Sequence, residues 1–439
     1  MKTLLKSLLL GTAALFLTSC TSFDPSTESL MQPPRLTPIQ SQLNDALIET
    51  AGTSADGIKL KYPREGKHRS AFVFHDLDGD GSDEAVAFYQ ADTKGTKAWI
   101  SVLDEQDGRW RSVFEYPGLA SNVDFVSFAN ITDTSKNNLV VGWYNDRSIE
   151  RNITVFQYDN LTLKEIFPDN YRSYLEYAIT DMDNDRLDEV IILNVNRNSK
   201  YYADLISWDG SSLDVATGGV TLNSDIQGFA QVKTGMLNRY SSALFIDELT
   251  NDEKLTTEIL FVENGELSTL QAQDQYVDIN LLTERSSGVL CQDVNNDGII
   301  EIPTSSALPG HNSSDEDPVY LTQFNQFIDG DLEPVMSAYV NMKQGYMLQA
   351  PPDWVGNVSL TVQSQTGEWQ FYEYSKEKDL TENILLRIRV YSQNDYHDKF
   401  ENFILLEQKG LFEYYGCIPQ NNSSYAISQT ELEQLFHLL

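Results

Sequence analysis

Basic residues are scarce. The 439-residue chain sets 31 Lys and Arg against 65 Asp and Glu, a formal net charge of −34. A surface this acidic repels phosphate, which argues against nucleic acid as a partner. Cysteine is nearly absent as well: Cys20, Cys291 and Cys417 are the complete set, too few for a disulfide framework or a Cys-based zinc cluster. Either a Cys291–Cys417 bridge tying two domains together or two buried free thiols fits the count. The five His residues, His68, His75, His311, His397 and His437, are scattered, and none stands in a nucleophile or zinc-ligand pattern. His75 directly precedes an acidic loop, where a structural role is expected. Beyond the N-terminus, no run is long and apolar enough to cross a membrane as a helix.

The first residues read as an address. Lys2 and Lys6 precede the apolar run Leu8–Leu17, which is short for a permanent membrane helix. It ends in Leu17-Thr-Ser-Cys20, which resembles the bacterial lipobox. That resemblance implies removal of a signal peptide, residues 1–19, lipid attachment at Cys20, and a place in the bacterial cell envelope, anchored to a membrane and facing outside the cytoplasm. Residues 20–36 are polar with prolines and read as a flexible tether. Residues 37–65 follow as an N-terminal helix, with Thr37 as cap, Pro38 at its first position and Ile39, Leu43, Leu47 and Ile48 apolar, and a lead-in strand at Ile58–Tyr62.

What the chain has in excess is organised. Three acidic nonapeptides share one spacing: Asp76–Glu84, Asp181–Glu189 and Asp293–Glu301. Oxygen-bearing side chains fall at positions 1, 3, 5 and 9 of each: Asp76, Asp78, Asp80 and Glu84; Asp181, Asp183, Asp185 and Glu189; Asp293, Asn295, Asp297 and Glu301. Alternate positions of a tightly turning segment converge on one point. A hard cation such as Ca²⁺ takes this oxygen set, and the backbone carbonyl of position 7 (Ser82, Leu187 and Ile299) can complete the shell. Up to three structural Ca²⁺ ions are expected. An EF-hand is excluded by the absence of flanking helices and of Glu at position 12, where Ala87, Ile192 and Thr304 stand.

The first positions, 76, 181 and 293, lie 105 and 112 residues apart, about two propeller blades each. A weaker copy, Asn130–Asn138, falls between the first two, and a fainter one lies near Gln231 before Ala243–Ile246; with their charged oxygens mostly gone, neither is expected to hold metal. Hairpin turns recur at Asp107-Gly108, Asp159-Asn160, Asp209-Gly210, Asn264-Gly265 and Asp329-Gly330, pairs that accept the positive φ of tight hairpins. Five loops and five hairpins predict a mainly β fold: a β-propeller of about five blades over residues 66–340. Its loops and their spacing resemble the FG-GAP repeats of integrin α-chain propellers and the VCBS repeats of bacterial surface proteins. The resemblance implies calcium ligands at the three acidic loops in a mainly structural role. Arg186 stands where the family usually has Gly at position 6, which puts the second loop's affinity in question.

Residues 341–439 change pattern and predict a small α+β C-terminal domain, or equally a sheet that completes or covers the propeller: alternating strands, a Lys409-Gly410 turn and a closing helix with a Ser428/Glu431 capping box and Leu432, Leu435, Phe436 and Leu439 on one face. The expected function is a non-enzymatic, lipid-anchored, calcium-stabilised module that binds an extracellular protein or glycan, with Trp110, Tyr144 and Tyr201 as candidate rim aromatics. The alternative is an extracellular polysaccharide-acting enzyme, a lyase or glycosidase, on the same scaffold; no acid–base pair in the sequence identifies one.

Overall fold

The computed structural model describes residues 37–439 except 216–218, 224–225, 273–276, 287, 312–318, 376–382 and 394–401. The leader 1–19, Cys20 and the tether 20–36 lie outside the described residues. The fold is mainly β: six antiparallel sheets follow one another along the chain, with a two-stranded ribbon (Gln271–Ala272 with Val277–Asp278) between the fourth and fifth.

In the first sheet Ile58–Leu60 and Phe72–His75 both pair with Glu84–Ala91, which continues into Trp99–Gln106 and Arg109–Pro117. The lead-in strand is therefore part of that sheet. The second sheet runs Asn122–Ala129, Asn138–Tyr144, Arg151–Asp159, and the third Glu176–Thr180, Glu189–Val195, Tyr201–Trp208, each with short strands on the outer side. The fourth is a plain meander of Ile226–Asn238, Ser241–Thr250, Leu255–Glu263 and Glu266–Thr269. Two-residue turns with positive φ at both residues close Asp107-Gly108, Asn264-Gly265 and Asp329-Gly330. In the second sheet the turn sits one residue later than expected, at Asn160-Leu161.

Both faces of the inner strands are apolar because each sheet is covered on two sides. In Glu84–Ala91, Val86 and Phe88 point to a core shared with Val123, Val141 and Trp143 of the second sheet, while Ala85, Ala87 and Tyr89 point the other way. The pattern repeats: Val155 meets Val190, Leu205 meets Leu244, Phe245 meets Ile302, and Tyr339 meets Phe371. The sheets thus stack in chain order. The free face of the first is covered by the helix Pro38–Ala51, which buries Leu43 and Leu47 completely. Thr37 and Gln40 form the reciprocal cap expected of that sequence; Ile39 stays half exposed. Among the described residues no core cluster joins the first sheet to the fifth or sixth.

The fifth sheet runs Ile302–Ala307, Tyr320–Ile328, Asp331–Asn341, Tyr346–Gln349 and ends with Phe436–Leu438. The boundary expected at 340/341 falls inside it. The closing helix starts at the predicted Ser428/Glu431 box but stops at Leu435; Phe436–Leu438 pairs with Tyr346–Leu348 as a strand, so Phe436 is buried against Tyr346 and Tyr414 and not on a helix face. The sixth sheet, of Val358–Gln363, Glu368–Glu373, Ile384–Ser392, Phe412–Cys417 and Ile404–Lys409, shares its core with the fifth. Cys291 and Cys417 are both buried and free.

Candidate metal centres

The first acidic nonapeptide joins Phe72–His75 to Glu84–Ala91, the second joins Glu176–Thr180 to Glu189–Val195, the third leads into Ile302–Ala307, and all three fold alike. The position-1 carboxylate holds the turn: Asp76 accepts from Gly79 N at 2.8 Å and Gly81 N at 2.9 Å, Asp181 from Asn184 N at 2.7 Å and Arg186 N at 3.0 Å, and Asp293 from Gly298 N at 3.0 Å. The position-9 carboxylate closes it from below, accepting the position-2 N–H of Leu77, Met182 and Val294 at 2.8 Å in every case. Positions 4 and 6 are left-handed: Gly79 and Gly81, Asn184 and Arg186, Asn296 and Gly298. Arg186 (φ 78°) therefore keeps the turn that Gly makes elsewhere, at a cost of about 1–2 kcal/mol.

Carboxylate oxygens converge within 4.8 Å of one another in three triads: Asp76, Asp78 and Glu84; Asp181, Asp183 and Glu189; Asp293, Asp297 and Glu301. Asp80 and Asp185 are not in the triads; their Oδ1 atoms accept the N–H of Ser82 and Leu187 at 2.7 Å. In the third loop Asp297 does both, accepting from Ile299 N at 2.9 Å. Position 7 thus enters each loop through its N–H. The glutamates are buried, with relative exposures of 3 %, 4 % and 0 % for Glu84, Glu189 and Glu301. Burial, aided by the neighbouring carboxylates, pushes Glu84 up to about 7 and Glu189 up to about 8, and raises Glu301. Three converging carboxylates, one of them buried, on a backbone that holds them together, fit a hard divalent cation: it would be held by the triad oxygens and would offset the burial and the repulsion that raise these values.

The third loop differs from the other two. Asn295 Nδ2 donates to Asp297 Oδ2 and to Glu301 Oε1, both at 3.1 Å, and Gln326 Nε2 donates to the same two carboxylates at 2.8 and 2.7 Å. Two amides already satisfy part of the charge there.

The weaker copy goes further. Asn138 takes the place of the closing Glu and accepts from Ile131 N at 3.2 Å and Thr132 N at 3.0 Å, while Asn130 Nδ2 donates to the carbonyls of Asp133 and Lys136 at 3.1 and 3.4 Å. An amide nitrogen donates to loop carbonyls where the acidic loops gather oxygens. The copy expected near Gln231 is not a loop: it lies within the long strand Ile226–Asn238, which turns directly into Ser241–Thr250 through Arg239-Tyr240. Bulges in that strand's pairing, not a metal loop, absorb its extra residues.

Neighbouring corners are linked. His75 stacks on Phe128 at 3.9 Å and bonds Asn137 at 2.7 Å; Asn130 N donates to Asp188 Oδ2 at 2.8 Å, and Asn184 Nδ2 to Tyr240 O at 3.2 Å. The candidate rim aromatics are engaged: Trp110 packs beside the helix, Tyr144 lies under Arg64 at 4.2 Å, and the Tyr201 hydroxyl donates to Gln227 O at 2.7 Å.

Buried polar groups escaped the sequence reading, two of them in and around the fourth sheet. Arg285, fully buried, bonds Asp247 at 2.7 Å, and the same carboxylate accepts from Cys291 N at 2.8 Å. On the opposite face of Ser241–Thr250, Glu248 and Glu258 are buried side by side, their carboxyls hydrogen-bonded to each other, and Glu258 accepts from Asn223 N at 3.0 Å. Desolvation and mutual repulsion push Glu248 up, and desolvation raises Glu258. The signal was present as charge inside the apolar run Ala243–Thr250.

No family model and no curated protein matches the chain. Among solved structures, a triple arginine-to-alanine variant of AofleA from Arthrobotrys oligospora is similar at 10 % identity and a TM-score of 0.27, over 75 % of this chain and 85 % of that one. A putative 6-phosphogluconolactonase from Bacteroides fragilis is similar at 10 % identity and a TM-score of 0.28, over 74 % and 93 %. Superpositions this loose carry no functional argument.

Proposed function

We propose that this chain is a calcium-stabilised, non-enzymatic binding module, built as an arc of propeller-like blades, carried on the outside of a bacterial envelope by a lipid at Cys20, and directed at an extracellular protein or glycan. The observation that carries the calcium part is the repetition: three loops, one geometry, each with a buried glutamate held among carboxylates. Support for the blade reading comes from the face-to-face stacking of successive meanders and from the loops' common place between strands. The lipid anchor rests on the sequence before Cys20. A binding role suits a rigid stack whose turns gather at sheet edges.

Thermal unfolding of the full chain in detergent, with calcium and with excess chelator, tests the metal sites. Calcium at about 100 times its dissociation constant contributes roughly 2.7 kcal/mol per occupied site. A rise in Tm with calcium, reduced separately by Asp76→Ala and Asp181→Ala, is the expected result. A Tm indifferent to calcium would reduce the loops to turns.

A further inference from the structure

The fourth sheet lacks a corner loop, and its absence leaves room. Where the first three sheets place eight residues between these strands, the fourth has only Arg239-Tyr240. Between this turn and the third acidic loop lies a hollow of about 580 Å³, against about 210 Å³ for the hollow beside the Asn130–Asn138 copy. The larger one is in the range of small-ligand sites.

Its walls are chemically mixed. Tyr240 is 83 % exposed, yet its backbone is pinned on both sides, by Asn184 Nδ2 on its carbonyl and by Asn238 Oδ1 on its N–H at 2.9 Å. The ring is thus presented from a fixed turn. Gln326 is 92 % buried by its 8 % relative exposure and lines the hollow; its Nε2 is committed to Asp297 and Glu301, which leaves Oε1 without a donor among the described residues. Arg239 and Asp329 add an exposed donor group and an exposed acceptor group, and Ile328 adds an apolar patch, 42 % exposed.

We propose that this hollow binds a hexose unit of a neutral glycan, with Tyr240 under the apolar face of the sugar ring and Arg239, Gln326 Oε1 and Asp329 on its hydroxyls. An aromatic face beside donors and acceptors matches a pyranose, which has an apolar face and a rim of hydroxyls that both give and accept hydrogen bonds. Neutrality follows from charge: the lining has one cation, Arg239, against Asp297 and Asp329, on a chain of net −34. A uronate would be repelled. The assignment rests on the binding-module reading and specifies its ligand class.

The test is calorimetric titration of the full chain, in detergent and calcium, with α-glucan, β-glucan and mannan hexasaccharides and with a hexauronate. The expected result is binding of at least one neutral oligomer, weakened at least tenfold by Tyr240→Ala and by Arg239→Ala, and held within about twofold by Tyr240→Phe. Both sites are exposed, so Tm should not move. Binding unchanged by Tyr240→Ala, preference for the hexauronate, or no binding of any neutral oligomer by a chain with its normal Tm would overturn the assignment while leaving a binding module with another ligand or surface. Cleavage of an oligomer, read by chromatography of the titrated sample, would instead overturn the non-enzymatic reading beneath it.

Discussion

Asn130 holds its corner through hydrogen bonds. Its Nδ2 donates to two loop carbonyls and its backbone exchanges hydrogen bonds with Asp188 of the next loop. Asn130→Ala should therefore cost about 1–2 kcal/mol, by the same amount in calcium and in chelator, in urea unfolding. Asp181→Ala should lose stability chiefly in calcium. The carboxyl pair Glu248–Glu258 gives a pH signature. Both acids are held above their ordinary range, so the folded chain keeps a proton that the unfolded chain releases above about 4.5. The stability this contributes is complete below that value and is lost as pH rises through the raised folded value. Of the groups packed nearby, Asp247 and Asp278 act in the same direction. Glu248→Gln should flatten the fall in Tm between pH 5 and 9 when measured in chelator-free buffer. The acidic loops were legible one by one because a fixed offset is a property of the sequence. The buried carboxyl pair was not, because only the pairing of two strands makes neighbours of residues ten apart.

Helix and strand ends were legible where side chains cap the backbone. Thr37/Gln40 and Ser428/Glu431 both form the reciprocal bonds their spacing predicts. How far an element extends is decided by packing. The apolar stripe through Leu432, Leu435 and Phe436 reads as helix, but the open edge of Tyr346–Gln349 gives Phe436–Leu438 three paired residues and a buried ring, so the chain leaves the helix. Likewise Gln231 sits in a strand because Ser241–Thr250 pairs along its full length. The helix Pro38–Ala51 is amphipathic with Leu43 and Leu47 at its centre, both fully buried. Leu47→Ala should cost about 2–5 kcal/mol, detectable as a lowered urea midpoint. Protease cleavage near residues 51–57 should become faster in the same variant as the helix detaches.

Across the molecule, the acidic corners are unevenly placed. The first and second acidic loops belong to the first and third sheets; the third, with Asn295 and Gln326 already bonded to its carboxylates, belongs to the fifth. Chelation should therefore raise amide exchange most in the first three sheets and least in the fifth and sixth, which hold the largest shared core. Hydrogen-exchange mass spectrometry of the full chain reads this directly; uniform loss of protection would show that the stack responds as one unit. The order of sheets was legible in the repeat of loops and turns. Their number was not, because Tyr346–Leu438 closes the fifth sheet and seeds a sixth from sequence with no loop motif.

The helix against the first sheet sets what this architecture can become. A stack finished by a helix has an end that is indifferent to how many members precede or follow it. A further unit of about 50 residues, loop included, inserted between two existing sheets would find the same kind of surface on either side. The helix-covered end would keep Leu43 and Leu47 buried whatever the number of sheets beyond it.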